Sequence, residues 1–409
     1  MALTRATWPS PADFAGPPDA TRIAGWLEAD RLARPARLAR LRDRFRGAGI
    51  DAYFGVRREH MRYLTGFTLA EGEEKSAGTS GQFLVSADEV VVFADTRYTI
   101  QAHREALDAR IESVYQDLPA RWPELVGSLG ARRVAVEAGF VPYAVWQRLV
   151  AAAPDVELVP IEGWIEADRA IKEPAEIERI AAACAVADRA LATLLPEIRP
   201  GMTEAELALR LEWLMRTGGA DALAFDVTCL SGSQAALPHG SPRDHPIPDG
   251  AVLLFDFGAQ VAGYRSDMTR TLFVGSPHER DLATYRSVAA AQTAAIDLLT
   301  AAVAEPEPAP NGREVDALAR SIIREGGREP FGHSLGHGIG LATHEQPSLG
   351  PRASEQPLPS PTVFSVEPGI YVEDETGVRI EDLVLFDAEG GRLERLTRFP
   401  SGVVIGGTD

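Results

Sequence analysis

The spacing of apolar residues changes several times along the chain, and each change marks an element. Between Pro35 and Gly49, Leu38, Leu41 and Phe45 recur at helical spacing with arginines between them. A helix is therefore expected there, after a Pro- and Ala-rich lead-in over residues 1–36 that holds at most one helix of its own. Short apolar runs follow at Ala52–Val56, Gln82–Ser86, Glu89–Ala94 and Arg133–Glu137, the second and third joined at Ala87–Asp88. Each has the length of a strand. A helix over Tyr143–Ala152 completes an alternation of strand and helix, the pattern of an α/β domain ending near residue 165.

The Ala-rich segment Glu173–Leu195 reads as one long helix, stopped before Pro200–Gly201. Thr203 with Glu206 three residues later forms a capping box that opens the next helix, to about Arg216. The boundary falls at 165–172, giving domains 1–165 and 166–409. In the second domain strand pairs alternate with helices, and the Pro-rich stretch Glu305–Pro310 separates the helix Tyr285–Ala304 from one starting near Gly312. No short-period repeat is visible.

A length of 409 residues exceeds one ordinary core, which agrees with two domains. Hydrophobic residues at 45% and charged residues at 24% give the balance of a globular chain. No run of about 18 apolar residues appears, so no membrane partner is expected. Met1–Pro18 lacks the apolar centre of a signal peptide, and Cys184 and Cys229 are too few for a disulfide framework. A reducing cytoplasm with both as buried thiols is the expectation. A formal charge of -18 argues against a nucleic-acid partner. Part of that acidity is better explained as a carboxylate cluster awaiting a cation.

Three stretches carry that cluster. In Ala251–Val274 two strand-like runs flank a turn within Gln260–Gly263. Asp256 lies inside an apolar run, where an acid is costly unless paired or cation-bound. Asp256 and Asp267 are symmetric about Val261–Ala262, so a hairpin is expected to point them at one another across the ladder. A divalent cation between them would resolve their repulsion; the alternative is a salt bridge from Arg265 or Arg270 to one of them. In Phe331–Pro347, His333, His337 and His344 stand in a Gly-rich strand, and imidazole is a common metal ligand. In Thr362–Phe386, Glu367 ends an apolar run and Glu381 lies in the return strand Val378–Phe386, after a turn at Asp374–Gly377. Arg379 could neutralise one acid but not four. Four carboxylates and an imidazole suit hard or borderline divalent metals rather than a structural zinc. Their charge matches two dications, and two metals about 3.5 Å apart can share an activated water.

These residues resemble the proline-specific pita-bread metallopeptidases, the Xaa-Pro aminopeptidases and Xaa-Pro dipeptidases (prolidases). The resemblance spans nearly the whole chain. In the first domain it rests on Met61–Phe67 (MRYLTGF) and Asp95–Tyr98 (DTRY). In the second it rests on ALPHG at 236–240, DFGA at 256–259, SDMTRT at 266–271, HSLGHGIG at 333–340, HE at 344–345, EPGIY at 367–371 and RIED at 379–382. It implies a two-domain α/β architecture: a creatinase-like N-terminal α/β domain, then a pita-bread α+β catalytic domain. It also implies five metal ligands, Asp256, Asp267, His337, Glu367 and Glu381, with Asp267 and Glu381 bridging. Glu367 would be the general base, while His239 and His344 would contact substrate and intermediate. His333 would line the proline pocket, and Arg379 and Thr269 would orient ligand carboxylates. The implied cofactor is a pair of divalent ions, manganese first with cobalt or zinc as alternatives. The implied reaction is attack of a bridging hydroxide on the Xaa-Pro bond of proline-containing peptides.

Relatives also imply a homodimer in which residues around Arg57–Arg62 or Leu69–Ser80 reach the neighbouring site. The run Pro359–Val363 departs from the Gly-Met-Val step of many relatives, and Arg352 stands where some have a substrate-facing arginine. Within the class the aminopeptidase is favoured over the dipeptidase. A methionine aminopeptidase would share the second domain, but the large first domain and SGSQAALPHG at 231–240 fit the proline-specific branch better. Creatinase-type amidinohydrolases and non-catalytic proteins of the same fold lack the ligand set that is complete here.

Overall fold

A computed structural model of the chain describes residues 8–69, 80–114, 118–304 and 309–402, with the backbone of 404–405. The stretch Glu305–Pro310 falls largely outside the described residues, as does most of Leu69–Ser80. Two compact units emerge: Ala24–Asp168, and Arg169–Asp409 together with Met1–Ile23.

The first unit is built on a six-stranded sheet. Its order is Arg110–Glu112, Val90–Phe93, Gln82–Ser86, Ala52–Gly55, Arg133–Glu137, Glu157–Ile161. Ala52–Gly55 runs antiparallel to Gln82–Ser86, which forms a hairpin with Val90–Phe93; the other neighbours are parallel. The strands Ala52–Gly55, Gln82–Ser86 and Val90–Phe93 are buried on both faces, which is why they read as unbroken apolar runs. The two edge strands, Arg110–Glu112 and Glu157–Ile161, carry exposed or half-buried charges and give no such signal. Trp122, from the helix Leu118–Ser128, fills the core edge-on against Phe54 at 5.1 Å.

One helix corrects the sequence expectation. Ala20–Ala48 runs unbroken through Pro35, where the pattern starts a separate helix. Proline removes one backbone donor and normally disrupts a helix interior. Here the flanking arginines hold the segment: Arg37, buried, donates to Tyr63 O at 2.9 Å and pairs with Asp30 at 3.0 Å.

In the second unit the lead-in is tied down at Phe14, which stacks on Phe399, and Arg189 donates to the carbonyls of Pro11 and Phe14. A four-stranded sheet is ordered Val404–Ile405, Met268–Val274, Val252–Phe257, Thr228–Ser231. A five-stranded sheet is ordered Glu345–Leu349, Gly336–Gly338, Thr362–Val366, Asp382–Asp387, Arg392–Arg395. The hairpin Gly369–Val372/Thr376–Arg379 extends from the second of these. The helices Glu279–Ala304 and Gly312–Glu325 pack on that sheet through Val288, Ala295, Leu299, Val315 and Ile323. Glu279–Ala304 is long and apolar enough by composition to cross a membrane, but its Ala-rich side is taken up by this core. Strands and helices are thus mixed around a core that leaves the strand ends free to carry polar groups.

Candidate metal centre

The first hairpin does not follow the expected register. Val252–Phe257 pairs with Met268–Val274 so that Asp256 faces Thr269, not Asp267. The turn explains the shift. Ala262 (φ 46°) and Gly263 (φ 79°) are its two central residues, and this pair of positive φ values makes a tight two-residue turn between Val261 and Tyr264. The symmetry centre therefore moves one residue towards the C-terminus. Asp267 ends up diagonal to Asp256, just before its strand begins. The two acids still share one face.

The histidine stretch is a strand of only three residues, Gly336–Gly338, held between two others. Its glycines are obligatory. A Cβ on Gly336 would sit 1.8 Å from Ser365 O, and one on Gly338 would sit 2.1 Å from Gln346 O. His337 between them projects towards the acids. In the third stretch the register of Thr362–Val366 with Asp382–Asp387 continues into Gly369–Val372 with Thr376–Arg379, but the ladder opens between the two. Glu367 and Glu381 occupy the opening on opposite strands. Glu381 thus stands outside the return strand that the sequence pattern assigns to it.

The four acids and His337 line one cavity of about 500 Å³. His337 Nδ1 meets Gly338 O at 3.1 Å, so that nitrogen carries the proton and Nε2 presents a lone pair. That lone pair faces Asp267 Oδ2 at 3.6 Å and Glu367 Oε1 at 3.4 Å, acceptor against acceptor. Ligand atoms of Asp267, His337 and Glu381 all lie within 4.8 Å of one another. Asp256 Oδ1, Asp267 Oδ1 and Glu381 Oε1 are buried without a hydrogen-bond partner. Orphaned acceptors converging in this way are costly unless a cation joins them, so the donor set fits divalent metal.

Asp256 and Glu381 are each held by one oxygen and leave the other for the cavity, and Glu367 is held through Oε1. Arg379 Nη2 donates to Asp256 Oδ2 at 2.6 Å, and Arg379 Nε donates to Thr269 Oγ1 at 2.9 Å. The Thr269 hydroxyl in turn donates to Glu381 Oε2 at 2.7 Å. Ser365 Oγ accepts from His337 N at 3.0 Å and donates to Glu367 Oε1 at 3.1 Å. Burial, then the charges of Glu381, Asp256 and Glu367, push Asp267 well above the ordinary carboxylate range. Burial raises Glu381 and Glu367 as well. Burial works against the Arg379 cation, but Tyr371, Asp256, Glu367 and Glu381 around it raise its pKa well above normal. One guanidinium cannot balance four acids.

The remaining predicted residues divide. His239, His333 and His344 line the cavity, and the His344 ring lies 4.2 Å from that of His337. Burial and neighbouring imidazoles lower the His344 pKa to about 4, so it is neutral near pH 7. His333 is fixed by Ser334 O on Nδ1 at 2.7 Å, and its Nε2 receives the Tyr371 hydroxyl at 3.0 Å. Arg352 does not join them: it is exposed, on a turn after Gly350–Pro351, and is not part of the cavity lining. Neither Arg265 nor Arg270 takes an acid of the site; Arg270 pairs with Asp382 instead. The Pro359–Val363 departure leaves the strand entry anchored, since Lys172 N donates to Pro361 O. Arg57 pairs with Glu166 at 2.9 Å. Both cysteines are buried free thiols whose pKa burial raises.

Sequence reasoning misses Tyr371, Ser365 and the wall formed by Phe225, Asp226, Val227 and Thr228. Tyr371 closes the EPGIY motif and Ser365 shares a strand face with Glu367, so both are in reach of the pattern. The wall carries no motif of its own.

Residues 178–388 match the family model described as metallopeptidase family M24, and residues 37–171 match the creatinase/prolidase N-terminal domain. The chain belongs to metallopeptidase family M24. This M24 chain is 36% identical to an uncharacterized peptidase of Bacillus subtilis, over 90% of its own length and 99% of that protein's. It is similar to the X-Pro aminopeptidase structure from Thermotoga maritima, with TM-score 0.79, 34% identity and 90% and 99% of the two chains covered. It is similar in the same degree to the Xaa-Pro dipeptidase structure from Bacillus anthracis, with TM-score 0.81, 34% identity and 91% and 99% covered. The architecture is thus a creatinase-type domain followed by a pita-bread catalytic domain, and the protein is a metallopeptidase.

Proposed function

We propose that this enzyme is an Xaa-Pro aminopeptidase, hydrolysing the bond before a proline that is second in a peptide. The relatives' names supply the Xaa-Pro class, and the cavity supports the choice within it. A dipeptidase must hold the carboxylate that ends its substrate close to the scissile bond. Among the described residues lining the cavity, Arg379 is the one arginine and no lysine is present. The Arg379 fork is already taken by Asp256, Thr269 and Tyr371. A chain continuing past proline needs no such cation.

In this reading Asp256, Asp267, His337, Glu367 and Glu381 would hold two divalent ions, and the chemistry these would supply is polarisation of the scissile carbonyl and a lowered pKa for the attacking water. Glu367 accepts the proton of the attacking water and delivers it to the departing proline nitrogen. Neutral His344 steadies the oxygen that gains charge, and His239, also on the cavity lining, contacts the substrate backbone. His333, fixed by Tyr371, shapes the pocket for a ring that has no N–H and a fixed φ. The oxygen-rich donors favour manganese. A homodimer and a reducing cytoplasm, the latter supported by two free buried thiols, belong to the same proposal.

Turnover of Xaa-Pro-Yaa and Xaa-Pro peptides by manganese-loaded enzyme tests the proposal. The tripeptides are expected to be cleaved with the higher kcat/KM. Cleavage confined to dipeptides would establish the dipeptidase instead.

A further inference from the structure

The opening that releases Glu367 and Glu381 from the ladder creates a problem that one side chain outside the cavity solves. If the register of Thr362–Val366 with Asp382–Asp387 continued, Pro368 would pair with Ile380. In such a pair each residue donates its N–H to the other's carbonyl. Ile380 N reaches Pro368 O at 3.4 Å, but Pro368 has no N–H to return. The N–H of Glu367 goes to Leu335 O, just before the strand Gly336–Gly338, and that of Glu381 to Thr269 O on the strand Met268–Val274. The carbonyl of Ile380, immediately before one site glutamate, is left without a ladder partner, while Val366, immediately before the other, is the last residue still paired, with Asp382.

Gln292 supplies the missing donor. It lies on the buried face of the helix Glu279–Ala304 and is 4% exposed. Its Nε2 donates to Val366 O at 3.2 Å, to Ile380 O at 3.3 Å and to Asp382 Oδ2 at 3.0 Å. All three partners are acceptors, so the orientation of the amide is dictated. Asp382 also receives Arg270 Nη2 at 2.7 Å, and Arg270 Nη1 donates to Glu381 O at 2.5 Å. The backbone before both glutamates, and the residue after one, therefore close on a single amide.

We infer that Gln292 is a positioning residue for the metal centre: one amide, reaching from a helix, sets the spacing of Glu367 and Glu381 by bridging the carbonyls that precede them. The inference rests on the metal-centre reading and is independent of which peptide is cleaved. Ligand-orienting partners of this kind change metal affinity or activity about 10–100-fold when removed.

The test compares purified wild type with Gln292→Met, similar in length but without donors, and with Gln292→Asn, which keeps the amide one methylene short. Cobalt(II) affinity and the visible absorption of bound cobalt are measured in each, with thermal unfolding as the control for folding. The Gln292→Met variant is expected to bind cobalt about 10–100-fold more weakly and with altered band positions, its kcat falling while KM stays within about twofold. The Gln292→Asn variant is expected to fall between. Wild-type cobalt affinity and spectrum in a folded Gln292→Met protein overturn the inference; should that protein prove unfolded, the same result in Gln292→Asn overturns it. If the wild type itself binds no cobalt, the metal reading fails instead, which keeps the two failures apart.

Discussion

At the residue scale, the site is a set of oxygens sorted into held and offered. Thr269 is the hinge of that sorting: its hydroxyl takes one N–H from Arg379 and gives its own hydrogen to Glu381. Thr269→Val keeps the volume and removes both bonds, leaving a buried guanidinium N–H and a carboxylate oxygen without partners, at a cost of about 1–3 kcal/mol. Divalent-cation affinity is expected to fall about 10–100-fold, and Thr269→Ser to recover most of it. Titration calorimetry of the metal-free proteins checks this; a Val variant with unaltered affinity would show that Glu381 needs no such orientation. The acids and histidines of this set are legible in the sequence because acids inside apolar runs and histidines between glycines demand explanation. Ser365 and Tyr371 lie in reach of the same pattern, but their roles do not, because a hydroxyl in a strand is ordinary until its partner is known.

Elements place these residues, and their identity is easier to read from the chain than their pairing. The strands Gln82–Ser86 and Arg133–Glu137 and the helix Tyr143–Ala152 have the ends that their apolar runs imply. The first hairpin slips by one residue because Ala262, an alanine, adopts φ 46°, which side-chain pattern alone does not announce. The continuous helix through Pro35 is hidden because its support comes from Asp30 and Tyr63, one of them distant in sequence. Close packing is announced more clearly, by glycine. Gly336 admits the Ser365 carbonyl, so Gly336→Ala forces apart the two strands that carry His337 and Glu367. The obstacle is backbone, which cannot rotate away, and destabilisation of about 1–3 kcal/mol is expected from overpacking. Denaturant unfolding of the metal-free variant measures it. A midpoint equal to the wild type would mean the strands can separate freely, and then the spacing of the ligands could not depend on this contact.

At the scale of the whole molecule the chain holds two cores, one around Trp122 in Ala24–Asp168 and one around Leu299 and Phe364 in the catalytic unit. Every residue of the candidate metal site comes from the second. Alternating strands and helices announce both units, but the allocation of the lead-in to the second unit depends on Phe14 meeting Phe399, a contact between chain ends that no local pattern encodes. The motif Asp95–Tyr98 belongs to the first unit and has a structural part there. Asp95, 3% exposed, accepts Ser80 Oγ at 2.7 Å, Arg97 N at 2.9 Å and both arms of the Arg97 fork. The Arg97 hydrogen bonds lower its pKa from 3.8 to about 2. A carboxyl whose pKa is depressed by folding contributes stability that is whole above the unfolded value, near pH 4, and is lost as pH falls through 2. The shift corresponds to about 2 kcal/mol. Asp95→Asn is therefore expected to lower the stability of the first unit by about that amount at pH 7, and by progressively less between pH 4 and pH 2, where the wild-type carboxyl is itself protonated. Divalent-cation affinity at pH 7 should stay that of the wild type. Unfolding followed across this pH range in both proteins decides the matter: a stability difference that stays constant from pH 7 to pH 2 would show that the ionised carboxylate contributes nothing, and that its neighbours hold the turn without it.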